Sequence, residues 1–378
     1  MKKILLCIVP LLPVFCLAQK SMQENINLKS IVDSAAHRMI EKPLINAISI
    51  GIVYQGKEFI GHYGELEKGK SDTPNNRTIY EIGSLSKTIT GTLVAKAVLD
   101  QKIRLEDPVQ NYLSEDYPNL KYNGHPVRVR DLVTHTSGFP PMLPLPINKF
   151  FKDFTNKKSP ENINNVLKNY TQKDFLRDLH TVKIDTIPGY KYSYSNAGFE
   201  LLAAVLEKAY HKKFEVLLKE YLSENIQMRN TTINLTKKEE ENLAVGYHCD
   251  YNDITSKIST LSWGSSGNVK ATLPDMMKYL QYELKNTGEI AESHRPLFKI
   301  DDQFSSGYAW RIIKDEKLGT LYKHHGGVFR AQCFIYIIPK YNLGIFIITN
   351  QSGTNTPKDM QDTLNEIFEK IQKNGNKD

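Results

Sequence analysis

Two apolar strand pairs lie at opposite ends of the chain, and this restricts the fold more than any other feature of the sequence. Near the N-terminus, residues 46–55 and 58–63 are strand-like runs joined by Gln55-Gly56-Lys57, the signature of a hairpin. Near the other end, residues 332–339 and 343–349 are dense in Ile, Phe and Tyr on either side of Pro339-Lys-Tyr-Asn342. Their unbroken apolar character calls for strands buried on both faces. The flanking segments have helical spacing. Residues 29–42 carry Ile31, Ala35, Met39 and Ile40, and residues 357–373 carry Met360, Leu364, Ile367, Phe368 and Ile371 after a Thr356-Pro357 start signal. The stretch between the hairpins reads mostly helical. The expected fold class is therefore α+β, an α/β sandwich. An antiparallel sheet is flanked by N- and C-terminal helices and interrupted by a large helix-rich inserted lobe.

Composition sets the outer limits. The 378 residues are 40% hydrophobic and 24% charged, which excludes wholesale disorder and fibrous repeats, and the length leaves room for a full core with an enclosed site. The 49 Lys and Arg residues outnumber 42 Asp and Glu, a net charge of +7, yet the two signs are interspersed, as in Thr236-Lys-Lys-Glu-Glu-Glu241. No basic run marks a nucleic-acid partner, and none is expected.

The first eighteen residues form a separate object. Lys2 and Lys3 precede an apolar stretch, Ile4 to Phe15, broken by Pro10 and Pro13 and ending in Cys16-Leu17-Ala18. This has the form of a cleaved secretory signal, too short and too Pro-interrupted to span a membrane. The expected organisation is a signal over 1–18 and one domain over 19–378, with a sheet lobe near 25–85 and 300–375 and a helical lobe near 86–299. The protein is expected to be exported, periplasmic or secreted, with no stable membrane insertion after cleavage. Phe15 stands where lipid anchoring at Cys16 would need a small residue. Removing the signal leaves a charge of +5 and two cysteines, Cys249 and Cys333, which could pair but form no disulfide framework.

Four segments could carry chemistry. In Glu81-Ile-Gly-Ser84-Leu-Ser-Lys87, the apolar positions Leu85, Ile89, Leu93 and Ala97 start a helix near Ser84. Ser84 then sits where backbone N–H groups favour developing negative charge, and Lys87 lies within reach on the same face as a base for a nucleophilic serine. Taken alone, Ser84 could equally be a helix cap. In the second segment, Tyr194 and Asn196 flank Ser195 before an apolar helix, and alternation turns both to one side. A phenol can relay protons and an amide can orient a carbonyl, while a capped turn with a packed Tyr is the plainer alternative. In the third, His324-His325-Gly326-Gly327 precedes the strand at 332, where glycines permit close backbone approach and an N–H could serve an oxyanion. Adjacent strand residues point to opposite faces, so the two histidines do not form a metal pair, and no metal is expected. The fourth, Asp131 to Pro140 with His135, lacks any Gly-x-Ser-x-Gly context for a triad and reads as a helix end and structural turn. A Pro-, Asn- and Lys-rich stretch at 140–170 reads as a long loop or lid beside the site.

Taken in order, Gly83-Ser84-Leu-Ser-Lys87, the run at 132–139, Pro188-Gly189 with Tyr194-Ser-Asn196, and His324-His-Gly326-Gly327 before a strand resemble the class C β-lactamase and D-alanyl-D-alanine carboxypeptidase superfamily of penicillin-recognising serine hydrolases. The resemblance covers roughly residues 30–370. It implies a serine β-lactamase-like fold with a five-stranded antiparallel sheet, and no metal or organic cofactor. It also implies an acyl-enzyme on Ser84, proton transfer shared by Lys87 and Tyr194, substrate contact by Asn196, and an oxyanion held by the N–H groups of Ser84 and Gly327. Class C enzymes carry Lys-Thr-Gly at the third motif; His324 in the place of that Lys resembles the His-x-Gly branch of D-amino-acid peptidases and esterases. Lys323 and Arg330 are nearby in sequence and could restore positive charge. The implied activity is hydrolysis of β-lactams or D-Ala-type peptide amides. The alternatives are a carboxylesterase with the same machinery or a penicillin-binding sensor without turnover.

Overall fold

The structure, a computed structural model, describes residues 27–249, 251 and 253–375. The signal segment expected at 1–18 lies outside the described residues. Ten strands and eight helices suffice to place the site. The strands are β1 (Ala47–Tyr54), β2 (Lys57–Gly64), β3 (Ile79–Glu81), β4 (Lys270–Thr272), β5 (Phe298–Lys299), β6 (Phe304–Gly307), β7 (Trp310–Asp315), β8 (Gly319–Val328), β9 (Ala331–Ile338) and β10 (Leu343–Thr349). The helices are α1 (Leu28–Ile40), α2 (Ser86–Leu99), α3 (Val129–Val133), α4 (Asn148–Lys152), α5 (Ser159–Leu167), α6 (Asn196–Tyr210), α7 (Leu273–Leu284) and α8 (Thr356–Gly375).

The two terminal hairpins meet in one antiparallel sheet of order β2-β1-β10-β9-β8-β7-β6-β5. The first hairpin turns on Gln55 and Gly56, both at positive φ, as a two-residue connection requires. Strand β1 then pairs with β10 from Ile48↔Thr349 to Tyr54↔Leu343. The sheet has eight strands, three more than the five implied by the resemblance. The additional ones, β5 to β7, extend the edge beyond β8, and their short, polar-rich runs gave little alternation to read.

Side chains alternate across this sheet, and both faces are apolar. On one face Ile48, Ile50 and Ile52 of β1, Phe334 and Tyr336 of β9, and Ile345 and Ile347 of β10 pack against α1 and α8, which contribute Val32, Met39, Leu364 and Ile367. On the other, Ile335 and Ile337 of β9, with Phe346 and Ile348 of β10, meet a larger core built from α2, α6 and α7. Gly51 lets α7 approach that face: a Cβ there would meet Met277 Sδ at 2.4 Å. Helix α2 is buried on nearly every side, from Ser86 to Ala97. Among the described residues, no helix is long and apolar enough to cross a membrane. Cys249 and Cys333 are both buried and are not joined by a disulfide.

Candidate active site

The nucleophile candidate sits on a single 3₁₀ turn, Gly83–Leu85, that runs directly into α2. Strand β3, paired with β4 at Glu81↔Lys270, delivers the chain to this turn. Gly83 adopts φ +52, and Ser86 Oγ donates to the Gly83 carbonyl at 2.7 Å while accepting from Val269 N at 3.1 Å. The turn presses against β8. A Cβ on Gly83 would lie 2.8 Å from Gly327 N, and one on Gly326 would lie 2.1 Å from the Ile82 carbonyl oxygen. The adjacent glycines of β8 therefore let the strand and the Ser84 turn approach backbone to backbone.

Lys87, one helical turn after Ser84, is completely buried. Its Nζ donates to Ser84 Oγ at 3.1 Å, Asn196 Oδ1 at 2.6 Å and the Ser266 carbonyl at 2.6 Å. Three acceptors thus match the three protons of an ammonium, and the proton facing Ser84 is the one whose loss turns a lone pair on the hydroxyl. Burial lowers the lysine pKa well below its ordinary range, opposed by the negative charge of Glu200.

Asn196 begins α6, and the cap of that helix is its neighbour Ser195. The Ser195 hydroxyl accepts from Gly198 N at 2.9 Å and donates to Pro140 O at 2.6 Å. With the cap supplied by Ser195, the Asn196 amide is available to Lys87. Tyr194 turns to the same side, its ring centroid 4.9 Å from Lys87 Nζ. Tyr194 is 37% exposed as a residue, and desolvation raises the pKa of its phenol. His135 closes the α3 turn at φ +59, accepts from Ser195 N through Nδ1 at 3.2 Å, and lies tilted against the Tyr194 ring with centroids 4.3 Å apart. The segment read as a structural turn therefore packs against Tyr194 and Ser195.

His324 and His325 face opposite sides of the sheet. His325 packs on Phe334 toward the terminal helices. His324 is buried on the site side, where desolvation and the nearby Lys87 charge pull its pKa down to about 3. Its Nδ1 lies 2.8 Å from the His325 carbonyl, which can only accept, so Nδ1 carries the proton and Nε2 does not. Lys323 does not restore charge at the site. Its Nζ donates to Gln361 on α8 at 2.8 Å and lies over the rings of Phe334 and Tyr336, across the sheet. Arg330 does line the site, held by Glu81 at 3.1 Å and by the Ala244 carbonyl at 2.8 Å.

A cavity of about 150 Å³ opens beside Ser84 and Asn196. Its lining includes the apolar Met142, Phe151, Phe154, Ile163 and Phe329 together with Arg330 and Lys270. Much of the apolar lining comes from 140–170. That stretch borders the site as expected, although it carries the helices α4 and α5 where a plain loop was read. Sequence reading missed Glu200, whose carboxylate is buried beside Lys87; the signal was present as one acid inside the apolar run Phe199-Glu-Leu-Leu-Ala-Ala-Val205. It also missed Ser266, which nothing in Gly264-Ser-Ser-Gly267 distinguishes.

A Ser hydroxyl bonded to a desolvated Lys, with a strand backbone pressed against the serine's turn, can support nucleophilic acyl transfer. The chain matches the Beta-lactamase family over residues 32–368 and belongs to that family. It is 24% identical over 368 residues to the D-alanyl-D-alanine-carboxypeptidase/endopeptidase AmpH of Escherichia coli strain K12, covering 92% of this chain and 90% of AmpH. It is 25% identical over 337 residues to the protein flp of Staphylococcus aureus strain MW2, and that match covers 86% of this chain but only 64% of flp. The β-lactamase/D-alanine carboxypeptidase of Yersinia pestis, solved with citrate, shares the fold at a TM-score of 0.77 and 21% identity, over 91% of this chain and 98% of that one. A class C β-lactamase does so at 0.75 and 19%, over 90% and 96%.

Proposed function

We propose that this protein is a serine hydrolase that passes an acyl group from an amide or ester first to Ser84 and then to water. The observation that carries the reading is the buried Lys87, bonded to Ser84 Oγ and fixed by Asn196 and Ser266. In this reading the Ser84 oxygen bonds to the substrate carbonyl carbon while its proton passes to neutral Lys87 Nζ. The carbonyl electron pair moves onto oxygen, where the N–H groups of Ser84 and Gly327 receive it, each such donor contributing about 10²-fold or more in rate. Collapse breaks the bond to the leaving amine or alcohol, which takes a proton from Lys87 or from the Tyr194 phenol. Water then attacks the acyl-enzyme along the same proton path. Asn196 holds Lys87 and faces the substrate, and His324 and Gly326 line the approach from β8.

β-Lactams and D-Ala-type peptides are the proposed substrates, in keeping with the names of AmpH and the Yersinia protein. Ester substrates form a second reading, which one observation favours. His324 is neutral and has no Nε2 proton, so β8 offers neither a cation nor a donor from this ring to a substrate carboxylate. The proposed setting remains outside the cytoplasm, with residues 1–18 as a cleaved signal and one domain over 19–378 divided into the sheet and helical lobes.

Intact mass spectrometry after exposure to a fluorophosphonate, and separately to benzylpenicillin, tests the mechanism. Wild type should gain one fluorophosphonate adduct and Ser84→Ala none; an adduct that survives the substitution defeats the proposal. Turnover of a chromogenic cephalosporin, nitrophenyl esters and D-Ala peptides then separates the substrate classes. A penicillin adduct without turnover of any of these would instead identify a sensor.

A further inference from the structure

Lys87 is completely buried, and several of the titratable groups around it are neutral. His324 on β8 and His135 at the end of α3 are both held neutral by desolvation. Tyr194, whose pKa is raised, keeps its phenolic proton. Lys270, Arg330 and Glu81 also line the cavity, where Arg330 is tied to Glu81 and Lys270 to the Ile233 and Asn268 carbonyls and Thr260. The remaining acid is Glu200, one helical turn beyond Asn196 on α6; burial raises its carboxyl pKa to about 7, opposed by hydrogen bonds from Ser266 and by the Lys87 charge, so it is an anion above that range.

The Glu200 carboxylate holds the turn that feeds Lys87. It accepts from Ser265 N at 3.0 Å and from Ser266 N at 3.3 Å, and it also accepts from Ser266 Oγ. The same turn is fastened to α2 by Thr90 Oγ1, which donates to the Ser265 carbonyl at 2.8 Å, and to α6 by Ser265 Oγ, which donates to the Phe199 carbonyl at 2.7 Å. So held, the Ser266 carbonyl points at Lys87 Nζ. A neutral side chain at position 200 would leave buried donors poorly matched and the lysine without its counter-charge.

We propose that Glu200 is a positioning residue for Lys87, aiming the Ser266 carbonyl at Nζ and supplying the negative charge that sets where the lysine titrates. The inference rests on the acyl-enzyme reading, in which Lys87 must be neutral to accept the Ser84 proton. An anion favours the ammonium, so its removal lets the neutral amine persist to lower pH.

The rate of fluorophosphonate labelling of Ser84, followed by intact mass across pH, reads this without knowledge of the natural substrate. For Glu200→Gln the acid limb should move down by about one pH unit or more, and the plateau should fall because the turn is no longer held. Glu200→Asp keeps the charge at a shorter reach, so its limb should stay near that of wild type while its plateau drops. A merely structural role would lower the plateau and leave the limb of both variants in place. A Glu200→Gln limb that coincides with wild type overturns the proposal, as does an Asp variant whose limb falls as far as that of Gln. If Glu200→Gln does not fold, Glu200→Met takes its place in the limb test with the same expected downward shift, and an unchanged plateau in Glu200→Asp refutes the aiming role. A wild-type protein that acquires no adduct on Ser84 points to failure of the acyl-enzyme reading itself, a separate outcome.

Discussion

Gly326→Ala tests whether the spacing between the Ser84 turn and β8 sets the reaction rate. The added Cβ would stand 2.1 Å from the Ile82 carbonyl oxygen and 2.6 Å from Cys333 Sγ. One of these obstacles is backbone and the other belongs to a fully buried side chain, so neither yields by a simple rotation. Reaching ordinary van der Waals separation requires the turn and the strand to part by roughly 1 Å. An oxyanion donor works over about 2.7–3.1 Å, so a retreat of that size takes one of the two N–H groups out of reach. Loss of one donor costs about 10²–10³-fold in kcat, close to 3 kcal/mol, and a 1 Å misplacement of reacting groups costs a similar factor. Overpacking should also lower stability by about 1–3 kcal/mol. Leu364→Ala on α8 serves as the control, because it destabilises the opposite face of the sheet without touching the site. The assay is the fluorophosphonate labelling rate together with kcat for a nitrophenyl ester, on protein shown to be folded by its thermal transition. A labelling rate within about threefold of wild type, less than 1 kcal/mol, would refute the argument that close backbone approach builds the oxyanion site.

Tyr194→Phe keeps the ring over Lys87 and removes the hydroxyl, so kcat should fall by about 10²-fold while Ser84 remains labelled; unchanged turnover would remove the phenol from the proton path. His324→Lys introduces a cation where the wild-type ring is neutral, and cephalosporin turnover at neutral pH should rise; if it does not, the charge argument at this position is wrong. Because the His324 pKa lies near 3, protonation of the wild-type ring begins only in strong acid, and KM for a carboxylate-bearing substrate should show no step from this group between about pH 5 and 8. Leu364→Ala, at a fully buried α8 position, should cost about 2–5 kcal/mol of stability by thermal or denaturant unfolding, with the labelling rate unchanged.

The sheet was legible where side-chain pattern and burial coincide. Strands β1, β9 and β10 are apolar on both faces because helices cover both, and their boundaries could be read within a residue or two. Strand β8 was harder, since Lys-His-His-Gly-Gly allows close backbone approach and carries little hydrophobic signal. Lys323 shows the limit of proximity in sequence: it neighbours His324, but the two-residue period of a strand sends it through the sheet to Gln361. Position 200 shows the converse. Its charge was visible, but only the folding of residues 265 and 266 against α6 gives that charge a neighbour. The Ser84–Lys87 spacing could be read because both groups share one short helical segment; the partners that fix Lys87 come from distant segments, beyond the reach of local periodicity.

The pairing of the two chain ends also bears on when the site comes into being. Lys87 meets Asn196 and Ser266 across sequence separations of 109 and 179 residues, and Ile82 meets Cys333 across 251. The bond from Ala47 N to Asn350 Oδ1 spans 303. Closing such loops adds little to the equilibrium cost but slows the search for the native arrangement. In the proposed mechanism, until residues 319–328 form β8, Ser84 would have Lys87 within reach but no opposing N–H from Gly327. Acyl-transfer capacity should therefore emerge late in folding, after secondary structure has formed, and recovery of labelling should report completion of the sheet.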